Sequence, residues 1–401
     1  MSTFLQVRPS RACCMHHAPF TLEKVKQYFL RFCRLRIVAF GFKSKIERRF
    51  APEHRDMSSA NFKACGEYQL PWSRILKFDD PYCCQVAIQA AEVELYPTTR
   101  GTFHADLTQI GLNRLWMQRF HQQLAQVNSV AIKPGRRVIG FLTKAHQPTF
   151  QHCGMDVLAG EIIVNNYDIM HQRSGADLHY GSMSLTLDDF DAAAMAISGY
   201  EFPGTTLKHL VRPNPALMSR LLELHKMVGQ MSETTPHILE LPEVIQALEQ
   251  ELIHVMVRCL TDGLPSRMTP GNQRHDTIVA KFEEYLEANP NTPLYLPEIC
   301  AAIGAAERTL RVACEQHLGM GPIRYLSLRR MHLVRRALLQ AIPSTTTITR
   351  IATDHGFWEL GRFSVTYRAL FGETPSATLQ RPSDHRRVLL NRPSSFADNF
   401  A

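Results

Sequence analysis

The chain has 401 residues, of which 45% are hydrophobic and 20% charged, and its formal net charge is +8. That balance excludes a disordered or collagen-like chain, and the length fits about two to three domains of ~150 residues. The ten cysteines form no CxxC spacing and include two adjacent pairs, Cys13–Cys14 and Cys83–Cys84, which suits neither a zinc knuckle nor a disulfide framework; they read as reduced cysteines of a cytoplasmic protein.

Taken in chain order, residues 1–56 come first, with 12 Lys/Arg against 4 Asp/Glu. The apolar run FLRFCRLRIVAFGF (29–42) carries three arginines, too short and too charged to span a membrane, and no small-residue cleavage site follows it. Residues 1–56 are therefore expected to be a basic extension upstream of a working start at Met57. Residues 57–307 reverse the balance, with 19 Lys/Arg against 27 Asp/Glu.

Between about 80 and 205, GTFHADLTQI (101–110), RRVIGFLT (136–143), LAGEIIVNN (158–166) and SMSLTLDDF (182–190) have the alternation or β-branched content of short strands. LNRLWMQRFHQQLAQV (112–127) fits a helix by period and equally an exposed strand ribbon. Several short strands with Gly, Pro and Asn between them predict a β-rich sandwich or barrel. From Asn214 the period changes. Leu217, Leu221, Leu224 and Met227/Val228, then Val244, Leu248, Leu252 and Val255, predict a pair of amphipathic helices, an intramolecular core or a dimer seam. DGLPSRMTPGNQR (262–274) reads as an interdomain linker, placed at 263–274.

The last third carries the densest signal. Residues 308–392 hold 14 basic residues against 5 acidic, and all 14 are Arg, which suits bidentate contacts to phosphates and guanines. In LPEICAAIGAAERTLRVACEQHLG (296–319), Ile299 and Ile303 share one helical face and Gly304 marks a turn. Leu310, Ala313, Cys314 and Leu318 then face inward on a second helix. IATDHGFWELGRFSVTYRALFG (351–372) repeats the plan around Gly356, with Phe357 in the corner and Arg362 and Arg368 turned outward. Either copy alone fits a buried helical hairpin as well as a helix-turn-helix. Two copies on one Arg-rich rod, IRYLSLRRMHLVRRALLQ (323–340), about 27 Å long, fit two successive major-groove segments of DNA.

These residues resemble the DNA-binding domain of the AraC/XylS family of bacterial transcription regulators. The carriers are LPEICAAIGAAERTLRVACEQHLGMGPIRYLSLRRMHLVRRALL and IATDHGFWELGRFSVTYRALFGETPSATL, including Pro375 after the final FG. The resemblance, placed on 275–381, implies seven helices and two helix-turn-helix units. It also implies base contacts from Arg308, Thr309, Arg311 and Val312 in the first unit and from Leu360, Gly361, Arg362 and Val365 in the second. Leu360 and Gly361 stand where the family often has polar side chains, and Ala306 where it often has a Ser or Thr cap. Arg335, Arg336 and Arg368 are the expected phosphate contacts. Residues 57–262 resemble the sensor domains of regulators related to the ethanolamine-utilisation activator, which implies a cupin-like β structure with strand at 112–127. A 382–401 tail follows.

The fold class expected is thus α+β: a β-rich, cupin-like N-terminal sensor or dimerisation domain with a helix pair, then an all-α C-terminal domain. The function expected is that of a sequence-specific transcription regulator, an activator answering to a small-molecule effector. Its expected partners are double-stranded DNA, RNA polymerase and a second copy of the chain, with no membrane, cofactor or metal. A cupin-type metal-dependent enzyme fused to a DNA-binding domain is the alternative, but His104, His146, His152, His171 and His179 are scattered and form no HxH pair. A purely architectural DNA-binding protein leaves the acidic domain of about 200 residues without a role.

Overall fold

The computed structural model describes residues 72–165, 169–199, 210–266, 269–289 and 294–381. The basic segment 1–56, the expected start at Met57 and the tail 382–401 lie outside the described residues. Strand β1 (Trp72–Phe78) leads into a short helix, α1 (Pro81–Ala87), whose N-cap Asp80 accepts from the backbone N–H of Tyr82 at 2.8 Å. Strands β2 (Ala91–Pro97), β3 (Ala105–Gly111), β4 (Trp116–Gln122), β5 (Gln126–Ile132) and β6 (Arg136–Leu142) follow. Next come β7 (Phe150–His152), β8 (Met155–Val157), β9 (Ile162–Asn165), β10 (Met170–Ser174) and β11 (Leu178–Thr186). Helix α2 (Leu187–Ser198), strand β12 (Leu210–Arg212), helices α3 (Pro215–Thr234) and α4 (Pro242–Thr261) and strand β13 (Leu264–Ser266) complete this half.

The strands form two sheets, ordered β1-β3-β4-β11-β6-β9-β12-β13 and β2-β5-β10-β7-β8, with antiparallel pairing throughout. This is the β-rich N-terminal region expected. The expected helix pair is α3 and α4: Leu221, Leu224 and Val228 of α3 are buried with Leu252 and Val255 of α4 against Ile110, Met117, Ile139, Phe141 and Met183 of the larger sheet. Each such side chain contributes about 1.5–3 kcal/mol by leaving water.

Residues 112–127 hold strand β4 and the start of β5, each preceded by a turn, and no helix. Leu112 and Leu115 mimic helical spacing because they close the β3–β4 hairpin, where the Leu112 N–H donates to the Leu115 carbonyl at 2.9 Å. Two expectations shift. In SMSLTLDDF only the first five residues are strand: Thr186 caps α2, its Oγ1 accepting from the Asp189 N–H at 3.1 Å. The supposed linker at 263–274 holds β13, paired with β12, and the first turn of the next helix, capped by Thr269.

The C-terminal region is helical, with α5 (Pro270–Ala288), α6 (Leu296–Ile303), α7 (Glu307–Leu318), α8 (Pro322–Gln340), α9 (Ile348–Asp354), α10 (Leu360–Phe371) and α11 (Pro375–Leu379). Among the described residues these make up the seven helices the resemblance implies. Helices α5 to α7 and the start of α8 enclose one core around Phe282, Leu310, Cys314 and Tyr325; the rest of α8 with α9, α10 and α11 encloses a second around Val334, Leu338, Phe363 and Tyr367.

The smaller sheet separates two environments, because successive side chains on a strand point to opposite faces. Val93, Leu95, Asn128, Val130 and Gln172 line a cavity of about 90 Å³ between the sheets. The intervening residues meet the helical region: Tyr96 and Val127 join its first core, and His171 lies 3.7 Å from Glu283. The approach is close enough to require glycine. A Cβ on Gly154 would lie 2.7 Å from His317 Nε2, and one on Gly319 would lie 2.2 Å from Arg173 Nη1, with φ at +72° and +71°.

Candidate nucleic-acid interface

Both helix-turn-helix units are built the same way. Helix α6 ends at Gly304 (φ +67°), and the Ala305 N–H reaches back to the Cys300 carbonyl at 3.1 Å. Helix α9 ends just before Gly356 (φ +81°), and the Phe357 N–H reaches the Ala352 carbonyl at 2.9 Å. Positive φ at the turn closes the helix end and redirects the chain, and nothing crowds an added Cβ at Gly304, so the backbone angle alone makes the requirement there. Phe357 packs between the units' helices against Phe363, ring centroids 5.1 Å apart.

On α7, Leu310, Ala313, Cys314 and Leu318 are buried, while Arg308, Arg311 and Val312 are exposed and Thr309 is half-buried. Arg311 Nη2 bonds Glu307 Oε1 at 2.7 Å, an exposed pair worth about 0.3–0.5 kcal/mol that a base edge can displace. Ala306 supplies no side-chain cap, as the sequence implies. On α10, Gly361, Arg362, Val365 and Arg368 are exposed, the Arg362 side chain at 84%. Leu360 differs: it is half-buried and packs into the second core, so its side chain supports the unit from within. Trp358, 72% exposed in the turn before α10, presents a large aromatic surface that the sequence reading passed over. Its place in GFWELG, between the turn glycine Gly356 and the start of α10, is the signal that could have flagged it.

Of the phosphate expectations for α8, the one for Arg335 is corrected. Arg335 is 5% exposed. Its Nη2 bonds Asp80 Oδ2 at 2.6 Å, its Nη1 bonds Glu373 Oε1 at 2.5 Å, and its guanidinium lies 4.8 Å from the Phe371 ring. Arg336 is half-buried, its guanidinium 4.7 Å over the Tyr82 ring. The physical reason is that α1 and its cap cover this face of α8, so these arginines hold the helical region to the β region. Of the three, Arg368 alone stays exposed.

Beside this contact lies a buried polar group shared by the two regions. Burial pushes the Glu283 carboxyl up to about 7 and that of Glu287 up to about 8, the latter with help from Glu94 and Glu283. Burial also drives His171 and His332 down to about 3, so both are neutral. Arg329, in contrast, stays charged: burial opposes it, but Tyr96, Glu94 and Glu283 outweigh that cost.

Two glycine-turned helix pairs on one connecting helix, with cationic and apolar side chains exposed along each second helix, define a DNA-binding protein of the double helix-turn-helix class. Residues 299–381 match a family model described as a helix-turn-helix domain. The chain is 34% identical over 131 residues to the XylDLEGF operon transcriptional activator 2 of Pseudomonas putida, covering 32% of this chain and 79% of that protein. It belongs to the AraC/XylS family of transcription regulators. It is also 31% identical over 185 residues to the probable thc operon regulatory protein of Rhodococcus erythropolis, 42% of this chain and 54% of that one, so it spans about half the length of that relative. Among solved structures it is similar to a probable AraC family transcriptional regulator from Rhodopseudomonas palustris, with 35% identity, 26% of this chain and 98% of that chain covered, and a TM-score of 0.24.

Proposed function

We propose that the chain is a sequence-specific DNA-binding transcription regulator, an activator under the control of a small molecule. The observation that carries this reading is the pair of helix-turn-helix units, each with its turn glycine at positive φ and its second helix exposing Arg311 or Arg362. Arg308, Thr309, Arg311 and Val312 read bases from α7; Gly361, Arg362 and Val365 do so from α10, where Gly361 lets the backbone approach the groove. Leu360 fixes the entry of α10, and Arg368 touches phosphate.

The effector seat is the cavity between the two sheets. Its polar lining consists of amides and hydroxyls, from Gln118, Asn128, Gln172, Ser182 and Tyr180, among side chains such as Val93, Phe120, Val130 and Phe150. The buried Asn128 Oδ1 accepts no hydrogen bond. A lining without formal charge suits an uncharged, mostly apolar molecule carrying one hydrogen-bond donor. Such a lining offers no acid–base pair, which favours regulation over the enzyme alternative. No helix of the described residues is long and apolar enough to cross a membrane, in keeping with a cytoplasmic site of action. RNA polymerase and a second copy of the chain complete the proposed partners.

The test is titration of duplex DNA across a salt range with a thermal-shift screen of the same protein. Affinity should fall steeply with salt as Arg–phosphate contacts release counterions, and uncharged apolar compounds should raise the melting temperature by mass action. A salt-independent affinity would sink the DNA reading.

A further inference from the structure

The outer face of the larger sheet carries, beyond the helices that cover it, a set of side chains that neither DNA binding nor the cavity uses. Asp106 of β3, His121 of β4 and His179 of β11 stand in one row, because Asp106 pairs with His121 and His121 with His179 in the strand register. The two imidazoles are stacked, centroids 4.1 Å apart and planes 7° apart. Asp177 reaches over them from the turn before β11: its Oδ1 is 2.8 Å from His121 Nε2 and 3.3 Å from His179 Nε2. Asp177 holds φ at +59°, a conformation uncommon outside glycine, and its N–H donates to the Gln123 carbonyl at 3.1 Å. The β11 backbone is fixed there as well, the His179 N–H donating to Gln147 Oε1 at 2.8 Å.

We propose that His121, Asp177 and His179 form a binding site for a divalent transition-metal ion of the zinc class, with Asp106 orienting His121. The ligand atoms of the three all lie within 4.8 Å of one another. A tetrahedral zinc ion with bonds of about 2.0–2.1 Å holds its ligand atoms about 3.3 Å apart, the spacing of Asp177 Oδ1 and His179 Nε2; because stacked rings cannot both aim a lone pair at one ion, loading the site turns one imidazole about its Cβ–Cγ bond. The role of Asp106 follows from the other ring nitrogen. Its Oδ2 lies 3.4 Å from His121 Nδ1, the place where a carboxylate fixes the proton on Nδ1 and leaves Nε2 free to ligate. His179 Nε2 faces the same Asp177 Oδ1 at 3.3 Å that His121 Nε2 faces at 2.8 Å, so both imidazoles turn a ring nitrogen toward one carboxylate oxygen. The Lys144 ammonium acts on both His179 and Asp177 and opposes the ion. Sequence reading placed His179 among scattered histidines, since its partner lies 58 positions away and only the strand register joins them. The consequence reaches the cavity: Leu178 and Tyr180, either side of His179, line it from the opposite face of β11.

The experiment uses the full chain, stripped with chelator, titrated with Zn²⁺ by equilibrium dialysis and with Co²⁺ by absorption. One equivalent should bind at micromolar concentration or below, with weak cobalt d–d bands and without a thiolate charge-transfer band. His179→Ala and Asp177→Asn should each weaken that equivalent at least tenfold, and His104→Ala should not. Asn tolerates the backbone angle at 177, so that variant isolates the carboxylate; equal thermal unfolding of variants and parent in chelator verifies that the fold is kept. Absence of a stoichiometric equivalent, affinity unchanged in both variants, or a thiolate band marking cysteine ligation would each overturn the site.

Discussion

Replacing Arg335 by Met removes the cation that joins Asp80, in the β region, to Glu373, after the second helix-turn-helix unit. Asp80 is 1% exposed and Arg335 5%, so solvent cannot take over the lost contact. Breaking a buried pair from one side costs about 3–5 kcal/mol because the partner charge is left stranded. Here both carboxylates keep other donors: Asp80 still accepts from the Tyr82 N–H at 2.8 Å, and Glu373 still bonds Arg381 at 2.9 Å. The expected loss is therefore at the lower end, ~3 kcal/mol, and Met restores some packing against Phe371. Urea unfolding followed by tryptophan fluorescence measures it. Arg350→Met, whose pair with Asp354 is exposed and 4.0 Å long, serves as the reference and should cost less than about 0.5 kcal/mol. The combination with Asp80→Asn should cost less than the two single changes added together, since they remove one interaction. The reasoning also fixes what should not change: the salt dependence of DNA binding stays that of the parent. If Arg335→Met leaves stability within 0.5 kcal/mol of the parent and lowers the salt slope by ~1, Arg335 reaches phosphate in solution and the buried contact is not what holds it.

Arg311→Ala should cost ~1–3 kcal/mol on the preferred DNA site and little on scrambled DNA, so its specificity ratio in competitive binding should drop; an equal loss on both would mean that α7 reads no base through it. Ala306→Ser gives α7 the cap it lacks and should stabilise the protein by about 1 kcal/mol in the same urea assay, with no gain expected if the hydroxyl fails to reach the N–H two or three residues on. Stability should decline between about pH 6.5 and 8. Glu283 and Glu287, with carboxyls raised to about 7 and about 8, bind protons in the folded state that the unfolded chain has already released. The neutral buried histidines act the other way, adding stability as pH rises from about 3, but are spent by ~6.5. Glu287→Gln should flatten the decline, and an unchanged pH profile in that variant would rule out its part.

How far the sequence could be read depended on the range of the interactions. The two helix-turn-helix units were legible because their cause is local: an apolar face at spacing 3 or 4, and a glycine where the backbone needs positive φ. The helix pair was legible for the same reason. Arg335 was misread because its main partner, Asp80, lies 255 positions away, and on its own helix Arg335 looks like any solvated arginine. The half-burial of Leu360 against the second core was not legible, because helix N-terminal residues can point into either the groove or the core and packing makes the choice. The hairpin at 112–127 was ambiguous because a four-residue turn flanked by leucines imitates a helical repeat.

The alternation along the smaller sheet has a consequence for how such a protein is re-engineered. Substitutions at Val93, Leu95, Asn128, Val130 and Gln172 reshape the cavity, whereas Glu94, Tyr96, Val127, His171 and Arg173, one position along, set the fit to the helices that carry the DNA-reading surface. If the cavity seats the effector as proposed, a library aimed at a new inducer should be confined to the first set and leave DNA choice untouched, while a graft of a foreign helical region must carry the second set with it. One layer of backbone thus keeps two specifications in adjacent columns of the same strands.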